Sequence, residues 1–372
     1  MKKRFITLMV LLTLLITIPV VLPQRGRWDG ADNQPVNPLA CDSEDFGEIE
    51  QVAYDGAGPI NASAQAGQAI TLVNIPDSRA ESYSLAVEEG MWAAASQLGN
   101  VELVRNAPNV LDSSDQLTLA EGYSSRGISG VLIDVIDPAV AGPALASLLE
   151  GGVHVVGYGS DSERRTREWF VQPAEPRAIA KVLIDNFVAE KGENAAFALV
   201  TSSFDSRADS RWISELWAYA SECYPGLEWL ETVETQDDDL LAYNLMVTLI
   251  NDYDDDLQGV ISVMPLGTPQ VAEAVANQGR CGDVAVVGLS APNAMKPFIN
   301  NDCVRAAVLW DAPSLGYAAV HVARAIVDGS LQPNSQSVDA GRLGQLPVVN
   351  GSEILLGVPL VFTSRNINNF DF

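Results

Sequence analysis

Short β-branched runs alternate with longer amphipathic stretches along most of this chain, and that beat limits its architecture more than any other feature. It runs 69–74 then 82–98, 131–135 then 139–149, 153–158, and 197–201 then 208–221. It continues through 260–263 then 269–278, 284–289 then 292–300, and 304–310 then 313–327. Strands buried on both faces read as unbroken apolar runs, and a strand that returns parallel to its predecessor needs a long crossover, usually a helix. The expected class is therefore α/β, with parallel sheets flanked by helices on both faces. At 372 residues the chain has the length of two to three domains and needs no metal or staple to build a core.

The junctions carry more information than the elements. Several runs end in a small or acidic residue with Pro close behind: Asp137-Pro138, Thr268-Pro269, Ser290-Ala291-Pro292 and Asp311-Ala312-Pro313. A capping oxygen accepts from the free N–H groups of a first turn, and Pro suits the first helical position, so these are expected N-caps. Open parallel sheets bind ligands beyond the carboxyl ends of their strands. Asn74, Asp77, Asp134, Ser160, Asp161, Ser290 and Asp311 would then ring one crevice, unless each merely caps its own helix.

Lys+Arg 22 against Asp+Glu 48 gives a formal charge of −26, which repels phosphate backbones and anionic lipid heads. Nucleic acid is therefore not an expected partner. Met1-Lys2-Lys3-Arg4 is a positive head before an apolar run over 5–22, the pattern of an export segment that leaves the rest outside the cytoplasm. No Ala-x-Ala cleavage pattern follows, so a removed signal peptide and an uncleaved anchor both stay open. Cys41, in Pro38-Leu39-Ala40-Cys41, faintly resembles a lipoprotein box, although Pro38 stands where a Leu-like residue is required. Residues 23–67, rich in Gly, Pro, Ala, Asn and Asp, read as a flexible stalk.

Outside the cytoplasm, four cysteines permit two disulfides. Cys281 and Cys303 each precede an apolar run, so adjacent parallel strands would bring them together, leaving Cys41 with Cys223. The competing reading is four buried thiols.

Catalytic patterns are sparse. Gly288-Leu289-Ser290-Ala291-Pro292 sits where a hydrolase elbow would, but it lacks the second Gly, and only His321 follows it. Gly157-x-Gly159 lacks the rest of a dinucleotide fingerprint, and there is no Gly-Lys-Ser/Thr phosphate loop. The acidic run 252–256 imitates a calcium loop, yet Leu257 and Val263 replace the turn Gly and the bidentate Glu, so it reads as a solvated turn. Asp237-Asp238-Asp239 reads as an acidic helix start. Zinc lacks a Cys-x-x-Cys and has only His154 and His321, far apart. No enzyme activity, metal or cofactor is expected; reversible capture of a small molecule is.

The segment from Val286-Val287-Gly288-Leu289-Ser290-Ala291-Pro292 to Asn293-Ala294-Met295-Lys296-Pro297-Phe298, with Val308-Leu309-Trp310-Asp311, resembles the type I periplasmic sugar-binding proteins of ABC transporters. The likeness is nearest the autoinducer-2 and rhamnose branch, and the ending Leu360-Val361-Phe362-Thr363-Ser364-Arg365-Asn366-Ile367-Asn368-Asn369-Phe370-Asp371-Phe372 resembles that branch's ending. It covers about residues 68–372. The resemblance implies two Rossmann-like lobes joined by a three-segment hinge and closing on a ligand. One lobe would comprise 68–171 plus 312–340, the other 172–311 plus 341–372. The implied ligand residues are Asp77, Asp134, Ser160, Asp161, Arg207, Asp209, Arg211, Met264, Ser290, Trp310 and Asp311, with Tyr83 a candidate for the opposite wall.

Four positions depart from the autoinducer-2 binders, which carry a lysine at Asp77, an aspartate at Gly159, an Asp-Gln pair at Ala208-Asp209 and Pro-x-Ala at Val263-x-Pro265. The expectation is an exported, monomeric solute-binding protein that keeps the fold, changes the ligand and delivers a sugar or other polyol to a permease. Carboxylates and Arg suit vicinal hydroxyls, and Trp310 suits the apolar face of a sugar ring. The alternatives are a cationic or amino-bearing solute, favoured by the acids in the crevice, and a ligand-sensing subunit of a membrane signalling complex.

Overall fold

The computed structural model describes residues 52–58, 66–77, 82–109, 112–202, 207–236 and 238–372, except for the side chains of 207–210. The export segment and Cys41 lie outside the described residues.

The first lobe winds through β1 (Ile70–Ile75), α1 (Ser82–Leu98), β2 (Val101–Arg105), α2 (Ser113–Glu121), β3 (Gly130–Ile133), α3 (Pro138–Glu150), β4 (His154–Tyr158) and β5 (Trp169–Gln172). The second winds through α4 (Pro176–Lys191), β6 (Ala196–Thr201), α5 (Arg207–Cys223), β7 (Glu228–Glu234), α6 (Asp239–Tyr253), β8 (Gly259–Ser262), α7 (Thr268–Asn277), β9 (Ala285–Leu289), α8 (Pro292–Asn300) and β10 (Ala306–Leu309). Both sheets use one parallel order, β2-β1-β3-β4-β5 and β7-β6-β8-β9-β10. That order places a topological switch point beside β1 in one lobe and beside β6 in the other.

The chain returns to the first lobe as α9 (Ala312–Val327), β11 (Ser337–Asp339), β12 (Gln345–Val349) and β13 (Glu353–Leu355), where β13 pairs parallel to β5. It ends in the second lobe, with β14 (Leu360–Phe362) antiparallel to β10. The described chain thus crosses between lobes at 173–175, 310–311 and 356–359. Residues 345–355, which the sequence reading gives to the second lobe, are instead hydrogen-bonded into the first sheet. These strands are too short to show a period, and β5, the partner of β13, lies more than 170 residues earlier.

Close backbone contact locks α9 onto α1. A Cβ on Gly90 would lie 1.7 Å from the Pro313 carbonyl oxygen, and one on Gly316 would lie 1.8 Å from that of Val87. In the second lobe, α4 buries Ile179, Leu183, Ile184 and Phe187 against the sheet. Among the described residues, no helix is long and apolar enough to cross a membrane.

Two of the four expected caps form. Asp137 accepts from the N–H groups of Ala139 and Val140 at 2.9 and 3.2 Å, and Asp311 accepts from Ser314 N–H at 3.0 Å. Thr268 instead lies inside α7 and donates its hydroxyl to the Met264 carbonyl at 2.9 Å, while Ser290 donates to that of Pro265 at 3.0 Å. In both cases a neighbouring carbonyl captures the hydroxyl before it can turn to a first-turn N–H. Asp238 caps α6 through Leu241 N–H at 2.8 Å, as its acidic start suggests. Residues Asp254–Asp256 form a solvent-exposed turn that engages Arg280.

Cys281 and Cys303 are disulfide-bonded with Cα atoms 4.6 Å apart, at the entries to the paired strands β9 and β10. The Cys41–Cys223 pairing falls partly outside the described residues.

The sequence reading gives residues 52–58 to a flexible stalk, but they lie against the first lobe. The Tyr54 ring packs on Trp169 with centroids 5.1 Å apart, and Ala57 N–H donates to the Arg167 carbonyl at 2.8 Å. An aromatic and an acid within a Gly/Ala-rich stretch supply these contacts without producing any period.

Candidate functional site

Strand ends from both sheets face one cleft of about 370 Å³. Its walls include eight of the eleven residues expected from the sequence: Asp77, Asp134, Ser160, Asp161, Arg211, Met264, Ser290 and Trp310. Each follows or ends a buried strand, apart from Arg211 in the first turns of α5. The side chains of Arg207 and Asp209, on the same helix start, lie outside the described residues. Asp311 is not among the lining residues: both its carboxylate oxygens face Ser314, one accepting from the backbone N–H and the other from the hydroxyl at 2.7 Å. Phe170, Gln172, Ser202 and Trp212 line the cleft without having been singled out in the sequence. The usable sign for Trp212 is its adjacency to Arg211 on a strongly amphipathic helix.

The acids are held in place rather than free to swing. Asp134, 5% exposed, accepts from Ser160 N–H at 2.8 Å, and Asp77 accepts from the Ser84 hydroxyl at 2.7 Å. Asp161 receives both arms of the Arg167 fork, at 2.9 and 2.8 Å. Burial disfavours the Arg167 charge, but the hydrogen bonds and charge of Asp161, with Glu353 and Asp55 behind, hold its pKa above the ordinary arginine value. Beneath this wall, Tyr158 donates to Asn74 Oδ1 at 2.7 Å. Burial, reinforced by the negative charges of Asp134 and Asp77, pushes its hydroxyl pKa far up and keeps it a donor.

The other side is aromatic. Trp310, in the second crossing, donates its indole N–H to the Tyr83 hydroxyl at 2.9 Å. Its ring meets Tyr83 edge-on and Trp212 at a 38° tilt, each with centroids 6.1 Å apart. Trp310 therefore touches side chains from both lobes. Met264, on the second-lobe wall, is fixed by the Thr235 hydroxyl, 2.7 Å from its sulfur.

Gly159 leaves no room for a side chain in the wall as it stands. Its φ is +67°, and a Cβ there would lie 2.4 Å from Asp134 Oδ2. Asp134 occupies the space that a side chain at 159 would need.

Two lobes of like winding, three crossings and a cleft between the strand ends define the architecture of the type I periplasmic binding proteins. A family model described as periplasmic binding protein domain matches residues 72–331, and the chain belongs to that family, a non-enzymatic solute-binding class whose members are exported. Solved structures share the fold. A sugar ABC transporter protein from Actinomyces odontolyticus is 24% identical, with a TM-score of 0.71 over 84% of this chain and 100% of the other. LsrB from Clostridium saccharobutylicum, in complex with AI-2, is 20% identical, with a TM-score of 0.73 over 82% and 100%. A solute-binding protein from Clostridium phytofermentas with bound L-rhamnose is 21% identical, with a TM-score of 0.72 over 81% and 98%.

Proposed function

We propose that this protein captures a small polyhydroxylated solute, a sugar, between its lobes and delivers it to the permease of an ABC transporter. The observation that carries this reading is the two-sided cleft, with fixed carboxylates on the first-lobe rim and an indole spanning the crossing. Vicinal hydroxyls donate to Asp77, Asp134 and Asp161 and accept from Arg211 and Arg207, while Trp310 and Trp212 cover the apolar face of the ring. Ser160, Asp209, Met264 and Ser290 complete the contacts, and Asp311 acts from behind by fixing the start of α9 next to Trp310. The family and the sugar-bound neighbours of like fold support this reading. The apolar run over 5–22 directs export, either as a signal peptide or as an anchor, and the protein works as a monomer.

Titration calorimetry against L-rhamnose, D-arabinose, D-fucose, autoinducer-2 and spermidine tests the proposal. A sugar is expected to bind at micromolar or better affinity with a change in tryptophan emission, and autoinducer-2 at least about a hundredfold more weakly, the cost of two or more mismatched hydrogen bonds. Tight autoinducer-2 binding would refute the change of ligand. Binding of spermidine alone would replace the sugar with a cationic solute, the reading that the three rim carboxylates otherwise favour.

A further inference from the structure

We infer that residues 52–58 are a strap that positions both walls of the cleft from behind, with Asp55 as the positioning residue. The inference rests on the cleft being the ligand site.

One carboxylate terminates two hydrogen-bonded chains. Asp55 Oδ1 accepts from the Ser352 hydroxyl at 2.5 Å, and Ser352 Oγ in turn accepts from Arg167 Nη1 at 2.5 Å. Arg167 Nη1 also donates to the Ser352 carbonyl at 3.1 Å, while Nε and Nη2 grip Asp161 on the first-lobe wall. On the other branch, Asp55 Oδ2 accepts from Arg164 Nη1 at 2.5 Å, and Arg164 Nη2 donates to Glu353 Oε1 at 2.5 Å. Glu353 is wholly buried, and the same oxygen lies 3.6 Å from Arg211 Nη1 on α5, across the cleft in the second lobe.

The two branches hold three cations, Arg164, Arg167 and Arg211, against three anions, Asp55, Asp161 and Glu353, so the set is neutral only with the strap in place. The balance matters most at Arg167 and Glu353, whose side chains have no exposure, because a buried charge without its partner cannot be repaired by water. Asp55, Arg164 and Arg211 keep about a third of their side-chain surface in solvent. Without the Asp55 charge, Arg164, still held by the Asn350 carbonyl at 2.5 Å, pairs its charge with Glu353 alone, the hold of Glu353 on Arg211 weakens, and the first turns of α5 loosen. Trp212, next to Arg211 and against Trp310, moves with them. Tyr54 on Trp169 and the Ala57–Arg167 backbone bond keep the strap seated while only the charge is changed.

The test uses the full chain with Asp55→Asn, alone and combined with Arg211→Ala. Hydrogen exchange is followed at the amides of 211–216, in the lobe that Asp55 does not touch, and affinity is titrated with L-rhamnose. Exchange at 211–216 is expected to rise about tenfold while that of α6 stays at the parental rate, since local opening responds to lost local contacts. L-rhamnose affinity is expected to fall about fivefold and to fall no further in the Arg211→Ala background, as coupled sites require. Unchanged exchange at 211–216 with a lowered melting temperature would reduce the strap to a structural role, and losses that add fully with Arg211→Ala would overturn the coupling. If L-rhamnose does not bind the parent, that arm counts against the sugar reading, and the exchange arm alone decides the strap.

Discussion

Replacing Gly159 with Ala tests the cleft wall directly, because the structure sets the size of the effect. At φ +67° any non-glycine residue takes on left-handed strain of about 1–2 kcal/mol. The added Cβ would start 2.4 Å from Asp134 Oδ2, so the carboxylate must withdraw by a full ångström to reach an ordinary contact at 3.4 Å. That withdrawal breaks the 2.8 Å bond from Ser160 N–H, a charge-assisted bond at a buried acid worth about 1.5–3 kcal/mol. The combined loss is roughly 2.5–5 kcal/mol, which lowers the melting temperature by about 5–20 °C at ~2–4 °C per kcal/mol. Differential scanning calorimetry of the empty protein reads this loss, and sugar titration reads the displaced Asp134. Gly159→Asp adds a second carboxylate against Asp134 and is expected to lose more, without gaining autoinducer-2 binding. A Gly159→Ala protein that melts within 1 °C of the parent and binds sugar equally well would show that Asp134 has room to move, and would refute the steric account of this departure.

Two further outcomes follow from features away from the wall. Changing Cys281 and Cys303 to Ser opens a 22-residue separation and is expected to cost about 3 kcal/mol through the freed unfolded chain, seen as a melting drop of about 6–12 °C; unchanged melting, or free thiols on non-reducing peptide mapping, would refute it. Burial lowers the His321 pKa below its ordinary 6.5, with Arg342 adding to the shift and Asp339 opposing it. The unfolded chain therefore takes up a proton first as pH falls below about 6.5, and stability drops through that window. His321→Gln is expected to shrink the difference in melting temperature between pH 7.5 and 5.5, and equal differences in variant and parent would sink the assignment.

Most central strands were legible because burial on both faces keeps them largely apolar: β3, β4, β8 and β9 are buried at every residue, although β5, equally buried, gave a run of four that the sequence reading passes over. The edge strands β2 and β7 were not, because their outer residues, Glu102, Glu228, Glu231 and Glu234 among them, face solvent and break the apolar run. Neither were β11 to β14, at three to five residues each. Asp77, Asp134, Ser160, Asp161 and Ser290 could be named because a strand's carboxyl end is a local feature, and they do line one cleft; Arg211, Met264 and Trp310, which line it too, were named only through the family resemblance. Their roles could not, because local chemistry is shared: Asp137 and Asp311 cap, while Thr268 and Ser290, at similar junctions, turn to nearby carbonyls.

By itself the sequence determined the class of fold and the ends of the strands that matter, and it favoured the Cys281–Cys303 pair over free thiols, since each depends on burial and spacing within tens of residues. Only the tertiary structure decided that Asp311 turns to its own helix, that Asp134 fills the place of a side chain at 159, and that Asp55 lies behind both walls. Those outcomes depend on which groups reach a buried charge first, and the partners of Asp55 are 109 and 297 residues away, beyond the range of any periodicity.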